Sequence, residues 1–463
     1  MEKARTKPKH VGLDMTEGNI LHQLIRFAIP LLLTNLLQQL YNAVDMAVIG
    51  HYVGSAGTVG VSTGGEVMTL VTFLATAFGN AGQIYVAQLS GAKDNKSISE
   101  TIGTSLVAML TLALICMGIS LVFCSQFLDW LNCPEEALEQ AKAYMIVSSL
   151  GMPFIFGYNS IAGILRGMGE AKRPLIFVAV AAAANVLMDI IFVAMIPLEA
   201  MGTAIATVTS QLASFIAAAV FLYRKKDQFG LDFSLKGMRI RMNHLKVLLK
   251  LGIPLAANSA LIHGTQIICS SHVNSFGLIA SATNSIGNKV HKLINVFTNS
   301  INAGAGAMVG QNLGARKIDR VNKIVFTTMR LSACFAVLSG MIAIFFPRQA
   351  FSIFTNDPEV IEYGVTFLRI FLIVVVISPF QGSLSSVVTG SGNSRLSFIS
   401  GLLDGVILRL GISFLLAYGF NMGVEGFFYG NALARLGPVT VGAIYFFSGK
   451  WKTRKLLIDS VKQ

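Results

Sequence analysis

The sequence predicts an all-α integral membrane protein with twelve transmembrane helices in two pseudo-symmetric six-helix lobes, and three observations carry that prediction. The first is composition. Hydrophobic residues make up 53% of the 463 and charged residues only 13%, where a soluble domain carries about a quarter charged residues. The second is segment length: apolar stretches of about 20 residues recur between short polar breaks, each able to cross roughly 30 Å of hydrocarbon at about 1.5 Å per residue. The third is an internal repeat at an offset of 223 to 224 residues. Leu-Ile-Arg-Phe-Ala-Ile-Pro ending at Pro30 returns as Leu-Leu-Lys-Leu-Gly-Ile-Pro ending at Pro254, and Val-Ala-Gln-Leu-Ser-Gly-Ala-Lys from Val86 returns as Val-Gly-Gln-Asn-Leu-Gly-Ala-Arg from Val309. Cys-Pro-Glu at Pro134 matches Asp-Pro-Glu at Pro358, and Arg-Gly-Met-Gly at Gly167 matches Thr-Gly-Ser-Gly at Gly390. A period this long is a domain-sized half rather than a solenoid unit, and such halves are how many transporters are built.

Six spans are expected in the first half, over residues 20–49, 55–89, 98–123, 138–165, 174–196 and 200–223. The second half repeats them over 247–272, 278–310, 324–346, 360–388, 397–418 and 423–447. Continuous apolar runs exclude a membrane barrel, whose strands alternate over about ten residues. The lobes are therefore 20–223 and 247–447, with a tail at 1–19, an inter-lobe linker at 224–246 and a second tail at 448–463. Lys3, Arg5, Lys7 and Lys9 precede a segment without a small-residue cleavage pattern, which reads as a retained tail rather than a signal peptide.

The net charge of +13 is a topology signal and not a nucleic-acid signal. Of 36 Lys and Arg residues, 28 fall on one side: at 1–26, 89–100, 166–173, 224–250, 315–323, Arg395 and 450–462. Residues 50–60, 196–203 and 419–424 carry none. The positive-inside rule then makes both termini cytoplasmic in a multi-pass cell-membrane protein, with anionic lipid headgroups as partners of the basic loops.

Enzyme chemistry has little footing. Five scattered cysteines form no Cys-x-x-Cys pair, seven histidines give no metal-ligand spacing, and no phosphate-binding glycine loop ends in Lys-Ser/Thr. No cofactor is expected. What remains is the polar content of the spans. In helix 1, Asn35, Gln38, Tyr41, Asn42 and Asp45 recur at spacings of three and four and form one polar stripe ending in an acid. Helix 5 places Asn185 and Asp189 on one face, and helix 6 does the same for Thr203 and Thr207. Topology puts Asp45, Asp189 and Thr207 at one depth in the outer half of the first lobe, a set suited to a hard cation or a proton. The rival reading is structural glue worth about 0.6 to 2 kcal/mol, but an ionised carboxylate at a helix centre costs at least about 2.5 kcal/mol, so two on facing helices point to a use. Glu66 of helix 2, next to Gly64 and Gly65, stands evenly between the two readings.

The second lobe differs. The repeat maps Asp45 onto Cys269 and Asp189 onto Ile412, and residues 247–272 hold no Asp or Glu. Asp404 with Arg409 and Glu425 with Arg435 either neutralise one another in pairs, the reading slightly favoured, or line a cavity, while Lys289, His291 and Lys292 are expected at the interface.

Five stretches in order resemble the multidrug and toxic compound extrusion (MATE) family: Ile-Pro then Leu-Tyr-Asn-Ala-Val-Asp in helix 1, Val-Ala-Gln-Leu-Ser-Gly-Ala ending helix 2, Ile-Leu-Arg-Gly-Met-Gly-Glu-Ala-Lys-Arg-Pro between helices 4 and 5, Asn-Val-Leu-Met-Asp in helix 5, and Val-Gly-Gln-Asn-Leu-Gly-Ala-Arg after helix 8. The resemblance implies two six-helix lobes in a V and export of cationic or amphiphilic organic compounds against inward Na+ or H+. Similarity to the DinF-like branch assigns the coupling site to Asp45, Asn185, Asp189 and Thr207, with Tyr144 and Asn159 of helix 4 in support and a helix bend at Pro30. The expected protein is a monomeric antiporter working by alternating access, with Gln38, Tyr41, Asn42, Glu66 and Thr203 completing the network. A lipid-linked saccharide flippase of the same superfamily is the alternative transporter. An intramembrane enzyme or a receptor is the alternative of another class.

Overall fold

The computed structural model describes residues 12–196, 198–229 and 237–460, and within them every regular element is helical. Lys3, Arg5, Lys7 and Lys9, together with parts of the linker and of the second tail, lie outside the described residues. The first half runs α1 (Ile20–Tyr52), α2 (Ser55–Gly91), α3 (Asn95–Val122), α4a (Glu135–Leu150) and α4b (Met152–Gly167), α5 (Lys172–Asp189), and α6 (Glu199–Arg224). The second runs α7 (Met242–Asn274), α8 (Leu278–Gly314), α9 (Ile318–Phe345), α10 (Pro358–Gly390), α11 (Ser394–Leu402), and α12a (Val424–Leu433) with α12b (Leu436–Phe447).

Among the described residues nine helices are long and apolar enough to cross a membrane, and the α4a–α4b pair, bent by 47° at Gly151, makes a tenth. The two remaining expected spans differ for physical reasons. Helix α8 has 37 residues but carries Lys289, His291, Lys292 and several asparagines, and α12 is interrupted at Ala434 and Arg435.

The repeat anchors are turn chemistry. Gly169 and Gly392, the second glycines of Gly-Met-Gly and Gly-Ser-Gly, hold φ of 86° and 67°, a left-handed conformation that glycine adopts without a Cβ penalty. Lys93 and Arg316, which close the two Gly-Ala-Lys/Arg turns, also take left-handed φ. In Asp-Pro-Glu, the Asp357 carboxylate accepts from the Glu359 N–H at 2.9 Å and Pro358 occupies the first turn of α10, an N-cap followed by the residue best suited to the first helical position.

Two compact units emerge, and each takes in the first turns of one helix whose remainder belongs to the other. One comprises Ile29–Gly252 with the described residues up to Asp14, and the other Met15–Ala28 with Ile253 onward. The start of α1 therefore belongs with the second half, where Leu24 and Phe27 lie against Gly304 of α8. The start of α7 belongs with the first, where His244 meets Tyr85 at 2.9 Å and Glu100 at 3.0 Å. Both handovers fall beside a proline, Pro30 and Pro254, each inside a continuous helix. Pro30 is thus no helix-start residue, and it removes one backbone hydrogen bond from the middle of α1. Within the first unit, α2 and α4b approach so closely that a Cβ on Gly163 would overlap the backbone of Gly79.

Candidate functional site

The polar stripe of α1 and the paired residues of α5 meet inside the first unit. Asn185 and Asp189, one turn apart on α5, are both fully buried, and Asp45 is 9% exposed. The Asp45 carboxyl lies against the side chains of Asp189 and Asn185, within interacting range of each. Yet Asp45 Oδ1, both Asp189 oxygens and both polar atoms of Asn185 are buried without a partner at hydrogen-bond geometry. Buried polar groups are almost always satisfied, so this cluster of orphans is the candidate site in the first unit.

Local structure sharpens it. Directly after Asp189 the helix widens into a π turn over Ile190–Met195, an irregularity found mostly at functional positions. The equivalent helix of the second half is π over Leu403–Ile412 and Leu415–Gly419. Both halves distort there, but the acid differs: Asp189 directly precedes the first π turn and has no ion-pair partner among the described residues, whereas Asp404 lies inside the second and is paired with Arg409.

Tyrosines close the surroundings. Tyr144 is within electrostatic range of Asp45 and Asp189, and Tyr41 of Asp45. Tyr144 reaches this place because Gly64 of α2 leaves the space its ring uses: a Cβ there would stand 3.0 Å from Cδ1. Thr203 on α6 is buried with its hydroxyl oxygen unpartnered, whereas Thr207 is only partly buried and its carbonyl accepts from Ser210.

Other expected residues lie apart. Asn159 turns its amide back onto the Ile155 carbonyl at 2.8 Å, Gln38 is half-buried, and Asn42 and Glu66 are exposed. Glu66 lacks the burial of the aspartates; of the glycines before it, Gly64 makes room for Tyr144 and Gly65 faces open space. Tyr158 was not anticipated: it stands within range of Tyr41 and of Arg166, and its spacing from Tyr144 gave no periodic signal across the bend in α4. No group of three His, Cys, Asp or Glu residues is arranged for a transition metal among the described residues. Two carboxylates, an amide and nearby hydroxyls are the donor chemistry of a hard monovalent cation or of a shared proton.

In the second unit, Asp404 and Arg409 form a buried ion pair at 2.5 Å. The expected pair of Glu425 with Arg435 does not form. Arg435 donates to Gln381 and His291 instead, and Glu425 stands near Tyr363. His291 faces this network and not the interface, because the arginine needs an acceptor at that depth.

The sequence matches the MatE family over residues 30–191 and again over 254–417, the two halves of the repeat. The chain belongs to the MatE family. Members are transporters and not enzymes. The chain is 26% identical over 450 residues, 96% of its length and 99% of the relative's, to the probable multidrug resistance protein YpnP of Bacillus subtilis (strain 168). It is 25% identical to the probable multidrug resistance protein NorM of Thermotoga maritima, covering 94% of each chain. A crystal structure of MATE in complex with MaD3S superposes with a TM-score of 0.87 at 20% identity, covering 98% of this chain and 99% of that one, which establishes the MatE fold here. The turn motifs repeated in both halves then read as scaffolding of that fold. Arg166 donates to Gln83 at 2.9 Å, and Gln311 and Asn312 clamp the backbone of Met15 at 3.0 Å each.

Proposed function

We propose that the protein is a secondary active antiporter of the cell membrane that exports cationic or amphiphilic organic compounds in exchange for Na+ or H+, with both termini cytoplasmic and the monomer as the working unit. The observation that carries this reading is the contact of Asp45 with Asp189 in a buried setting, with no Lys or Arg among the described residues in ion pairing with either. Two adjacent unpartnered carboxylates repel, and burial disfavours their charged forms. A cation held between them, or a proton shared by them, removes both penalties. Asn185 and a threonine of α6, Thr207 or the more deeply buried Thr203, supply the remaining oxygens of the site. Because the ion stabilises only conformations in which the two acids are together, its binding biases an alternating-access equilibrium by its differential affinity for the two states. Multidrug export is supported by relatives named as probable multidrug resistance proteins that match along nearly the whole chain.

The test is efflux of a fluorescent organic cation from proteoliposomes under separately imposed sodium and pH gradients. Export driven by one of the two gradients is expected. Equal efflux with and without either gradient would remove the antiport reading.

A further inference from the structure

We propose that the second unit contains an anion-binding site at mid-membrane, built on Arg435 with Arg409 beside it, that takes the carboxylate or phosphate head group of an amphiphilic organic molecule. The assignment deepens the transport reading, on which it relies only for calling that molecule a substrate.

Charge balance comes first. Asp404 is engaged by Arg409 Nη2 at 2.5 Å, and Arg409 Nη1 donates to Asn431. That carboxylate is spent. Arg435 donates through Nη1 to Gln381 Oε1 at 3.1 Å and through Nη2 to His291 Nε2 at 2.6 Å. Since His291 Nε2 accepts this bond, the ring is neutral and carries its proton on Nδ1. Arg435 thus has only neutral acceptors, and no carboxylate stands within ion-pair distance among the described residues. Two guanidinium charges face one carboxylate. A guanidinium deep in a membrane protein is costly unless it is paired, and here the pairing partner is missing.

Backbone geometry marks the same place independently. Arg435 sits at the break between α12a and α12b, Asp404 and Arg409 lie in the π segment Leu403–Ile412, and Gln381 follows Pro379 inside α10. Two of the three spans are irregular where their polar groups converge, and the third carries a proline two residues from Gln381. At membrane depth such backbone is tolerated where it lines a protein interior or a wet cavity, and discontinuous helices near the midplane build substrate sites. Arg435, His291 and Gln381 each keep part of their surface accessible. Arg435 Nε and its remaining N–H groups, with the unpartnered Nε of Arg409, offer donors suited to two oxygens of one oxyanion.

The test uses the full chain in detergent micelles without any gradient, and the matched dyes rhodamine B, which has a free carboxylate, and its ethyl ester, which does not. Fluorescence polarisation is expected to give about tenfold or tighter binding of the acid over the ester, the scale of a charge-assisted contact. In Arg435→Gln this preference falls to about twofold or less with ester affinity retained, whereas Arg435→Lys, which keeps the charge but loses the guanidinium fork, gives a preference between those of Arg435→Gln and the wild type. Displacement of rhodamine B by dodecyl phosphate alone assigns the head group to a lipid-like molecule; displacement by butyl phosphate as well assigns it to a soluble one. Equal affinity of the wild-type protein for acid and ester, or an unchanged preference in Arg435→Gln, overturns the proposal. A preference observed alongside gradient-independent efflux would overturn only the antiport reading.

Discussion

At the scale of single residues, the weight rests on Asp45 and Asp189. Both lie in the first unit among orphaned polar atoms, and no buried Lys or Arg depends on either for its charge balance. Neutralising one therefore strands no countercharge, in contrast to breaking a buried ion pair, which costs about 3–5 kcal/mol. Asp45→Asn and Asp189→Asn are each expected to abolish gradient-driven export while the melting temperature in detergent is not lowered. Export at the wild-type rate from either variant would remove that residue from the site. Opposite behaviour is expected for Asp404→Asn, which leaves buried Arg409 without its carboxylate and should lower the melting temperature measured the same way. The aspartate pair was legible in the sequence because helical spacing puts Asn185 and Asp189 on one face and the chain order brings α1 to α5. Glu66 was not, since its burial depends on how α2 is rotated, and a helix with glycines on several faces gives no stripe to fix that rotation. Arg435 was misread for a related reason: Glu425 and Arg435 are close in sequence, but the helix breaks between Leu433 and Leu436, so spacing along a straight helix no longer predicts who meets whom.

At the scale of elements, hydrophobic length and turn chemistry fixed most boundaries within a few residues. What they missed were interruptions inside apolar runs: the bend at Gly151, the π turn after Asp189 and the break in α12. The bend at Gly151 and the break in α12 are each followed by a proline, Pro153 and Pro438, which cannot donate to the preceding turn; the π turn after Asp189 has no such local cause. The exchange of the first turns of α1 and α7 between units was equally hidden, because hydropathy reports that a segment is apolar and not which partner covers it. Two predictions belong here. Gly163→Val drives a branched side chain into the backbone of Gly79 and should destabilise the α2–α4b contact by about 1–3 kcal/mol, read as a lowered melting temperature. Asp357→Ala removes the cap on α10, and should cost about 1 kcal/mol with ion dependence unchanged in the efflux assay.

At the scale of the whole molecule, the two halves share a fold but divide the chemistry. The first unit holds the acidic pair; at the equivalent positions the second has Cys269 and Ile412, and its own buried charges sum toward the positive through Arg409 and Arg435. Duplication explains the shared turns and the shared distortion of the fifth helix, because these are requirements of the backbone. Side chains facing the interior carry no such requirement, which left each half free to take a separate role. Coupling is accordingly expected from the first unit, with Glu425→Gln and Asp404→Asn altering substrate affinity or expression more than ion dependence. The most direct test of this division is the initial rate of dye efflux from proteoliposomes, measured against sodium concentration and against pH, for wild type, Asp45→Asn and Asp404→Asn. The account predicts that Asp404→Asn retains the wild-type ion dependence at an altered rate and that Asp45→Asn loses it. Loss of ion dependence in Asp404→Asn, with Asp45→Asn still coupled, would contradict it.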